Sequence, residues 1–207
     1  MKFALLLAAA SLAPALDDPA DDTAVPPLTE ADLRAIAAVE ALGGQVVPLA
    51  LNDARLDVSY HLGDVTLTAE RLDALKPLAD RLHGLNLRGT AFDDKLSAKL
   101  TAFPKLRRLH LERTQITDGA LISVGTLESL EYLNLYGTEV TDDGLTRLRS
   151  LKSLQSLYVW DTGVTADGVL ALKAALPDVE IVGVELPPEP RRPLVAPKPD
   201  PTPAADD

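Results

Sequence analysis

The sequence predicts an α/β solenoid, with a curved parallel sheet on the concave face and helices on the convex face. Four segments, 82–92, 106–116, 130–140 and 154–164, superimpose at a fixed step of 24 residues, and each reads L-x-x-L-x-[LV]-x-x-T-x-[apolar]. A period of that length marks units that bury their apolar faces only against their neighbours. Inside each unit the first half alternates apolar and polar with the period of a strand, and the second half returns with helical spacing. Regularity of this kind in 207 residues argues for one continuous solenoid and not two small domains.

The chain opens with the pattern of an export signal over residues 1–15. Lys2 supplies the positive start, Phe3 to Ala10 an apolar run, and Ala13-Pro14-Ala15 a small-x-small site, so cleavage is expected before Leu16. A buried N-terminal helix is the competing reading, disfavoured because the run stops at Pro14 and an acidic stretch follows. Residues 16–28 are acidic and contain proline, and read as a linker. Residues 29–55 then form an N-terminal cap. Thr29 starts a helix with Asp32 as the capping-box acid, Leu33, Ile36, Ala37 and Val39 give its apolar stripe, Gly43-Gly44 end it, and a strand follows near Gln45 to Leu51. Such a cap covers the naked apolar end that a terminal repeat would expose.

The repeats occupy residues 56–184. Leu56 to Tyr60 alternates like a strand, and Val58, Tyr60 and Val65 precede Leu85, Leu87 and Phe92 by 27 residues, which makes a degenerate first repeat. Period two puts Leu85, Leu109, Leu133 and Leu157 in one buried column and Leu87, Leu111, Leu135 and Val159 in the next. Phe92, Ile116, Val140 and Val164 extend the core around the turn, and Leu100, Val124, Leu148 and Leu172 are the inward positions of a returning helix. Ile181 lies 24 residues after Leu157 and closes the C-terminal end as a half-repeat, after Leu176-Pro177 stops the last helix. Residues 185–207 read as a disordered tail, since eight prolines fall in the last 21 residues.

Two polar columns accompany the repeats. Thr90, Thr114, Thr138 and Thr162 stand where the chain leaves the sheet, and a buried hydroxyl there can bond backbone groups left without ladder partners. A nucleophile reading of these threonines has no supporting base beside any of them. Thr117-Asp118, Thr141-Asp142 and Thr165 stand where each helix begins, so hydroxyl and carboxylate are expected to accept from its free N–H groups. Calcium ligation by these acids is the alternative, and no ligand-rich loop surrounds them.

These residues resemble the leucine-rich repeat family, with Thr at the position where many members carry Asn or Cys. The continuation into Ile116-Thr117-Asp118-Gly119 and Val140-Thr141-Asp142-Asp143-Gly144 is similar to the cysteine-containing subclass known from F-box proteins, in a shortened form. Closer still are secreted bacterial repeat proteins whose last unit resembles LYVWDTGVT followed by LKAALPDVEIVG. The resemblance covers about residues 29–184. It implies a leucine-rich repeat solenoid, and because members of the family serve as interaction surfaces for many ligands it names no ligand. Some bacterial relatives add a c-type haem domain. This chain contains no cysteine for haem attachment, so electron transfer does not carry over, and an F-box segment is lacking.

Composition narrows the function further. Residues 46–184 hold 15 Lys and Arg against 19 Asp and Glu, so most of the net charge of -11 lies outside the repeats and there is no basic face for nucleic acid. Zero cysteine also removes disulfides and thiolate metal sites, and with an export signal it fits a bacterial envelope. No later segment approaches the ~18 apolar residues of a membrane span, so the expected product is a soluble protein, secreted or periplasmic. No cofactor and no metal are expected.

Side chains flanking the buried leucines must point to the concave face. They are Asn86 and Arg88, then Arg108, His110 and Glu112, then Tyr132, Asn134 and Tyr136, then Ser156, Tyr158 and Trp160. Three of the four tyrosines and the single tryptophan are among them, in a chain that is 4% aromatic. Clustering on an exposed face points to binding anchors, with packing of the rings on one another or under the tail as the alternative. The candidate ligand-binding set is therefore Tyr132, Asn134, Tyr136, Tyr158, Trp160, Arg108, His110 and Glu112. His110 beside Glu112, and His61 on the same face, could suggest acid-base chemistry. A shallow sheet offers no oxyanion donors or enclosed pocket, so they are read as solvated polar positions and the protein as no enzyme. The expected partner is an unidentified protein, with an envelope protein as one candidate. A glycan or cell-wall ligand on the same aromatic face is the second reading.

Overall fold

The computed structural model describes residues 26–50, 53–61 and 66–185. The expected export signal, most of the expected acidic linker, Leu51, Val65 and the expected proline-rich tail beyond Glu185 lie outside the described residues. Pro26 to Leu28, at the end of the linker, are tied down: Arg81 donates to the carbonyls of Pro26 (2.6 Å) and Pro27 (3.2 Å), and Leu28 packs on the core.

Helix α1 (Glu30–Ala41) starts with a full capping box. The Asp32 N–H donates to Thr29 Oγ1 at 3.2 Å and the Thr29 N–H donates to Asp32 Oδ2 at 2.7 Å. Its buried side is Asp32, Ala35 and Val39 with Ile36 partly covered, while Leu33 is 48% exposed and Ala37 faces solvent. The apolar stripe is thus rotated from the one expected at Leu33 and Ala37. The cause is an ion pair: Arg81, itself buried, meets Asp32 at 2.9 Å and draws that face inward. Burial pushes the Asp32 carboxyl up, but the Thr29 and Arg81 hydrogen bonds outweigh it and hold the group below the usual carboxylate range.

The sheet runs in chain order from β1 to β7. β1 (Gln45–Ala50) pairs antiparallel with β2 (Asp53–Ser59), and Val46 opposes Val58. From β2 onward every pairing is parallel, through β3 (Leu82–Asn86), β4 (Arg108–His110), β5 (Tyr132–Asn134), β6 (Ser156–Tyr158) and β7 (Glu180–Val182). Val58, Leu85, Leu109, Leu133, Leu157 and Ile181 align strand to strand, as the 27- and 24-residue offsets require. Leu85, Leu109, Leu133 and Leu157 are fully buried, and Leu87, Leu111, Leu135, Phe92, Ile116, Val140, Leu100, Val124 and Leu148 join them in one core. Tyr60 ends the first repeat inside this core, its hydroxyl donating to the Arg71 carbonyl at 2.9 Å and pushed up to about 12 by burial. Parallel strands backed by returning helical turns at a 24-residue repeat define a leucine-rich repeat solenoid.

The returning segments are short, namely α2 (Ala69–Asp73), α3 (Asp94–Ser97), α4 (Asp118–Val124) and α5 (Asp142–Leu145), with α6 (Ala166–Ala175) longer at the C-terminal end. Tight 3-10 turns at Ala98–Ala102 and Thr146–Ser150 finish two of them, because a 24-residue unit leaves little chain for a longer helix.

The threonine column does what the strand ends demand. The hydroxyls of Thr90, Thr114, Thr138 and Thr162 donate to the carbonyls of Leu87, Leu111, Leu135 and Val159, each at 2.7 Å. The residue before each threonine is left-handed: Gly89 and Gly137 at φ 67, but also Arg113 at φ 53 and Asp161 at φ 55.

At the helix starts one expectation is corrected. The threonine hydroxyls cap their own helices, but the carboxylates reach forward into the next repeat. Asp94 accepts from the Thr117 N–H (2.8 Å), the Thr117 hydroxyl (2.5 Å) and the Ala120 N–H (3.1 Å). Asp118 accepts from the N–H and hydroxyl of Thr141 (2.7 and 2.6 Å), and Asp142 from those of Thr165 (2.8 and 2.6 Å). A carboxylate facing the free N–H groups of an adjacent helix is favourably placed, and this geometry stitches repeat to repeat. It also explains the glycine of the T-D-x-G element, since a Cβ at Gly119, Gly144 or Gly168 would collide with Asp94, Asp118 or Asp142. The last repeat carries Ala166 where the others carry Asp, at the end of this ladder.

Candidate functional site on the open face of the sheet

The strand pairings place the outward side chains in rows. Arg108, Tyr132 and Ser156 are in register, as are His110, Asn134 and Tyr158. Glu112, Tyr136 and Trp160 follow one step beyond, where Arg113 N–H donates to the Tyr136 carbonyl at 2.8 Å and Gly137 N–H to the Trp160 carbonyl at 2.9 Å. All eight candidate residues thus fall on three consecutive strands and the turns that leave them.

Their contacts divide the face into two clusters. The His110 and Tyr132 rings lie 4.9 Å apart and the Tyr132 and Tyr158 rings 5.4 Å apart, both tilted, which makes a ladder across β4, β5 and β6. The Arg108 guanidinium sits 5.3 Å from the Tyr132 ring centre. Asn134 braces the ladder by donating to the Tyr132 hydroxyl at 3.3 Å while its Oδ1 accepts the Tyr136 N–H at 3.0 Å. Burial raises the Tyr132 hydroxyl above its ordinary range, with Glu112 adding to the shift. Tyr136 belongs to the second cluster: Arg113 stacks at 5.3 Å from its ring and donates to its hydroxyl at 3.2 Å. Trp160, at 54% exposure, is the most open of these rings.

Glu112 departs from the expectation of a solvated polar position. It is 8% exposed, folded back so that Oε1 meets His110 Nδ1 at 2.9 Å, and its Oε2 is buried with no hydrogen-bond partner among the described residues. Burial pushes this carboxyl up, but the His110 contact and the Arg88 charge bring it below its ordinary value, so it is ionised at neutral pH. A buried anion with one unsatisfied oxygen carries a desolvation cost that the His110 contact offsets only in part. His61, in the same row one strand beyond Arg88, is half-buried.

Arg113 is the residue that sequence reasoning missed. It holds a left-handed backbone where the neighbouring repeats carry glycine, and its side chain engages Tyr136. The signal was legible: a column alternating Gly89, Arg113, Gly137, Asp161 keeps bulky charged residues where glycine would be less strained. Among the described residues, no group of three or more His, Cys, Asp or Glu side chains is arranged to hold a metal, and no helix is long and apolar enough to cross a membrane.

No family model and no curated protein sequence matches the chain. Among solved structures, the chain is similar to an internalin from Listeria monocytogenes, at 19% identity and TM-score 0.49, over 61% of this chain and 35% of that one. Internalin C2 from the same organism aligns at 19% identity and TM-score 0.42, over 73% of this chain and 85% of that one. The leucine-rich repeat ectodomain of the receptor kinase SOBIR1 from Arabidopsis thaliana aligns at 14% identity and TM-score 0.45, over 76% of this chain and 98% of that one. The chain therefore spans about a third of the first internalin and most of the other two.

Proposed function

We propose that this protein is a non-catalytic binding module that docks another protein on the open face of its sheet. The observation that carries the reading is the aromatic ladder: Tyr132 and Tyr158 in ring contact, with exposed Trp160 beside them, on a surface that no described segment covers. Rings held by neighbours lose little freedom on binding, which suits them as anchors, while Arg108 and Arg113 supply charged donors around them. The export pattern at the N-terminus supports an envelope or secreted partner. Glycan binding is the second reading, because planar rings beside Asn134 and Asp161 also suit sugar faces.

Capture from an envelope extract, run in parallel with a glycan array, tests the proposal. A protein retained by the wild-type chain and lost with Tyr158→Ala supports it. Retention that is insensitive to the change, or array binding in its place, overturns it.

A further inference from the structure

We propose that the partner docked on this face presents an extended acidic segment, whose carboxylates meet Arg88, Arg108 and Arg113 while apolar side chains further along the same segment meet Tyr158 and Trp160. The proposal rests on the reading of the open face as a docking surface for a protein and names the chemistry of that partner.

Three observations converge on it. The first is a segregation of chemistry across the sheet. Exposed Arg88 and Arg108 stand at β3 and β4, with exposed Arg113 on the turn that leaves β4, whereas the rings of Tyr132, Tyr158 and Trp160 stand at β5, β6 and the turn beyond. Guanidinium groups thus gather on one side of the face, in a chain whose net charge is -11. The second is that these groups are not neutralised. Arg34, Arg55, Arg81 and Arg107 each form an ion pair with a carboxylate, while Arg88, Arg108 and Arg113 form none among the described residues. Arg108 and Arg113 rest on tyrosine rings instead, and Glu112 is folded under cover onto His110, which leaves the solvent side to the guanidinium groups. Carboxylates match guanidinium groups in geometry as well as charge. On the ring side the charges reverse, because exposed Asp161 follows Trp160 and exposed Glu180 pairs with Ser156. A polysaccharide that repeats its charge at every unit would meet those carboxylates; a peptide that confines its acids to one end does not. The third observation is the Arg113 backbone, left-handed at φ 53 where the neighbouring repeats carry Gly89 and Gly137. Such strain at a bulky residue points to a role for its side chain beyond the fold. The spacing agrees with an extended segment. Arg88 and Trp160 stand in one row just past β3 and β6, three strand spacings or about 14 Å apart, and four residues of extended chain at ~3.4 Å per residue cover that span with both side chains on the same side.

The probe is a fluorescent peptide of pattern E-S-E-S-L-S-F, made also in the reversed order, with glutamine and lysine counterparts in place of its acids, and its binding to the full chain is read by polarisation. The acidic peptide, in one of its two orders, should bind about ten-fold tighter than the glutamine counterpart, the range that a few exposed charge pairs supply, with the lysine counterpart weakest. Arg88→Gln/Arg108→Gln should erase the difference. Raising salt from about 0.1 M to about 1 M, which shortens the screening length from about 10 Å to about 3 Å, should erase it too. Arg113→Gly, which restores the residue the turn prefers, should weaken the acidic peptide without lowering the melting temperature. A melting temperature that falls while peptide binding holds assigns Arg113 to the fold and overturns its part. Equal binding of the three peptides, or no binding of the acidic one, overturns the proposal. A uronate polysaccharide that binds in its place overturns it as well, and so does self-association of the chain that the arginine changes abolish, because the acidic segment then belongs to a second copy. Partner capture separates this inference from the reading beneath it. A captured protein lost with Tyr158→Ala but indifferent to salt and to Arg88→Gln/Arg108→Gln leaves docking on the rings and removes the acidic segment. Peptide binding set by charge and unmoved by Tyr158→Ala removes the rings and leaves the arginines.

Discussion

Gly144 has no side chain because the Asp118 carboxylate of the preceding repeat occupies that space while it accepts from the N–H and hydroxyl of Thr141, the residue that caps the next helix. Gly144→Ala should displace Asp118 from Thr141 and cost about 1–3 kcal/mol, the range for disturbing a hydrogen-bonded charged group. In an Asp118→Ala background the collision with the carboxylate is gone and only the 3.0 Å approach to Leu121 Cδ1 remains, so the same change should cost clearly less than it does beside Asp118. Urea unfolding of the four proteins measures this cycle, and additive effects would show that the carboxylate and the glycine are uncoupled. The residue scale is also where the sequence was least legible. T-D-x-G announces a helix start, but nothing in one repeat says that its Asp serves the next, because that contact spans 23 residues and exists only once the repeats are stacked. Leu33 and Asp32 mislead for a similar reason: apolar spacing gives a stripe, and only the distant Arg81 turns the carboxylate inward.

At the scale of the element, each strand contributes one leucine column to a core that neighbouring repeats share. Leu133 is fully buried between Leu109 and Leu157. Leu133→Asp drives a carboxylate into that shared core, with a cost of at least about 4 kcal/mol, so circular dichroism should show loss of structure beyond the repeat itself. An unchanged spectrum and melt would mean that the inward and outward columns are exchanged. Strands, turns and buried columns were legible here because a repeated pattern states the same answer four times. The aromatic face was legible as a set of outward positions, since period two fixes direction. Its internal organisation was not: side-chain identity cannot reveal that Glu112 folds under cover onto His110, or that Arg113 leaves the turn to stack on Tyr136.

For the whole molecule, stability is a chain of nearest-neighbour interfaces closed at one end by α1 and β1 and at the other by α6 and β7. Its acid response follows from depressed carboxyls. Arg55 holds Asp53 down at about 2, and Lys76 and Lys99 lower Asp73, alongside Asp32 and Glu112. A folded value below the unfolded one means the contribution is present above the unfolded value of about 4 and lost as pH falls through the folded value. The melting temperature should therefore decline between about pH 4 and pH 2, and a flat profile over that window would contradict the pairings. The proposed function belongs to this scale too, because the candidate face is assembled from three repeats and no single repeat contains it. The most direct test measures fold and binding together in Tyr136→Ala/Trp160→Ala, with Asn86→Ala as the control at the other end of the sheet, using the full chain and the partner it captures. The account predicts a melting temperature close to wild type and a loss of about thirty-fold or more in affinity, as truncating an anchor worth about 2 kcal/mol implies, with Asn86→Ala near wild type. A double variant that unfolds, or one that folds and binds its partner fully, would contradict it.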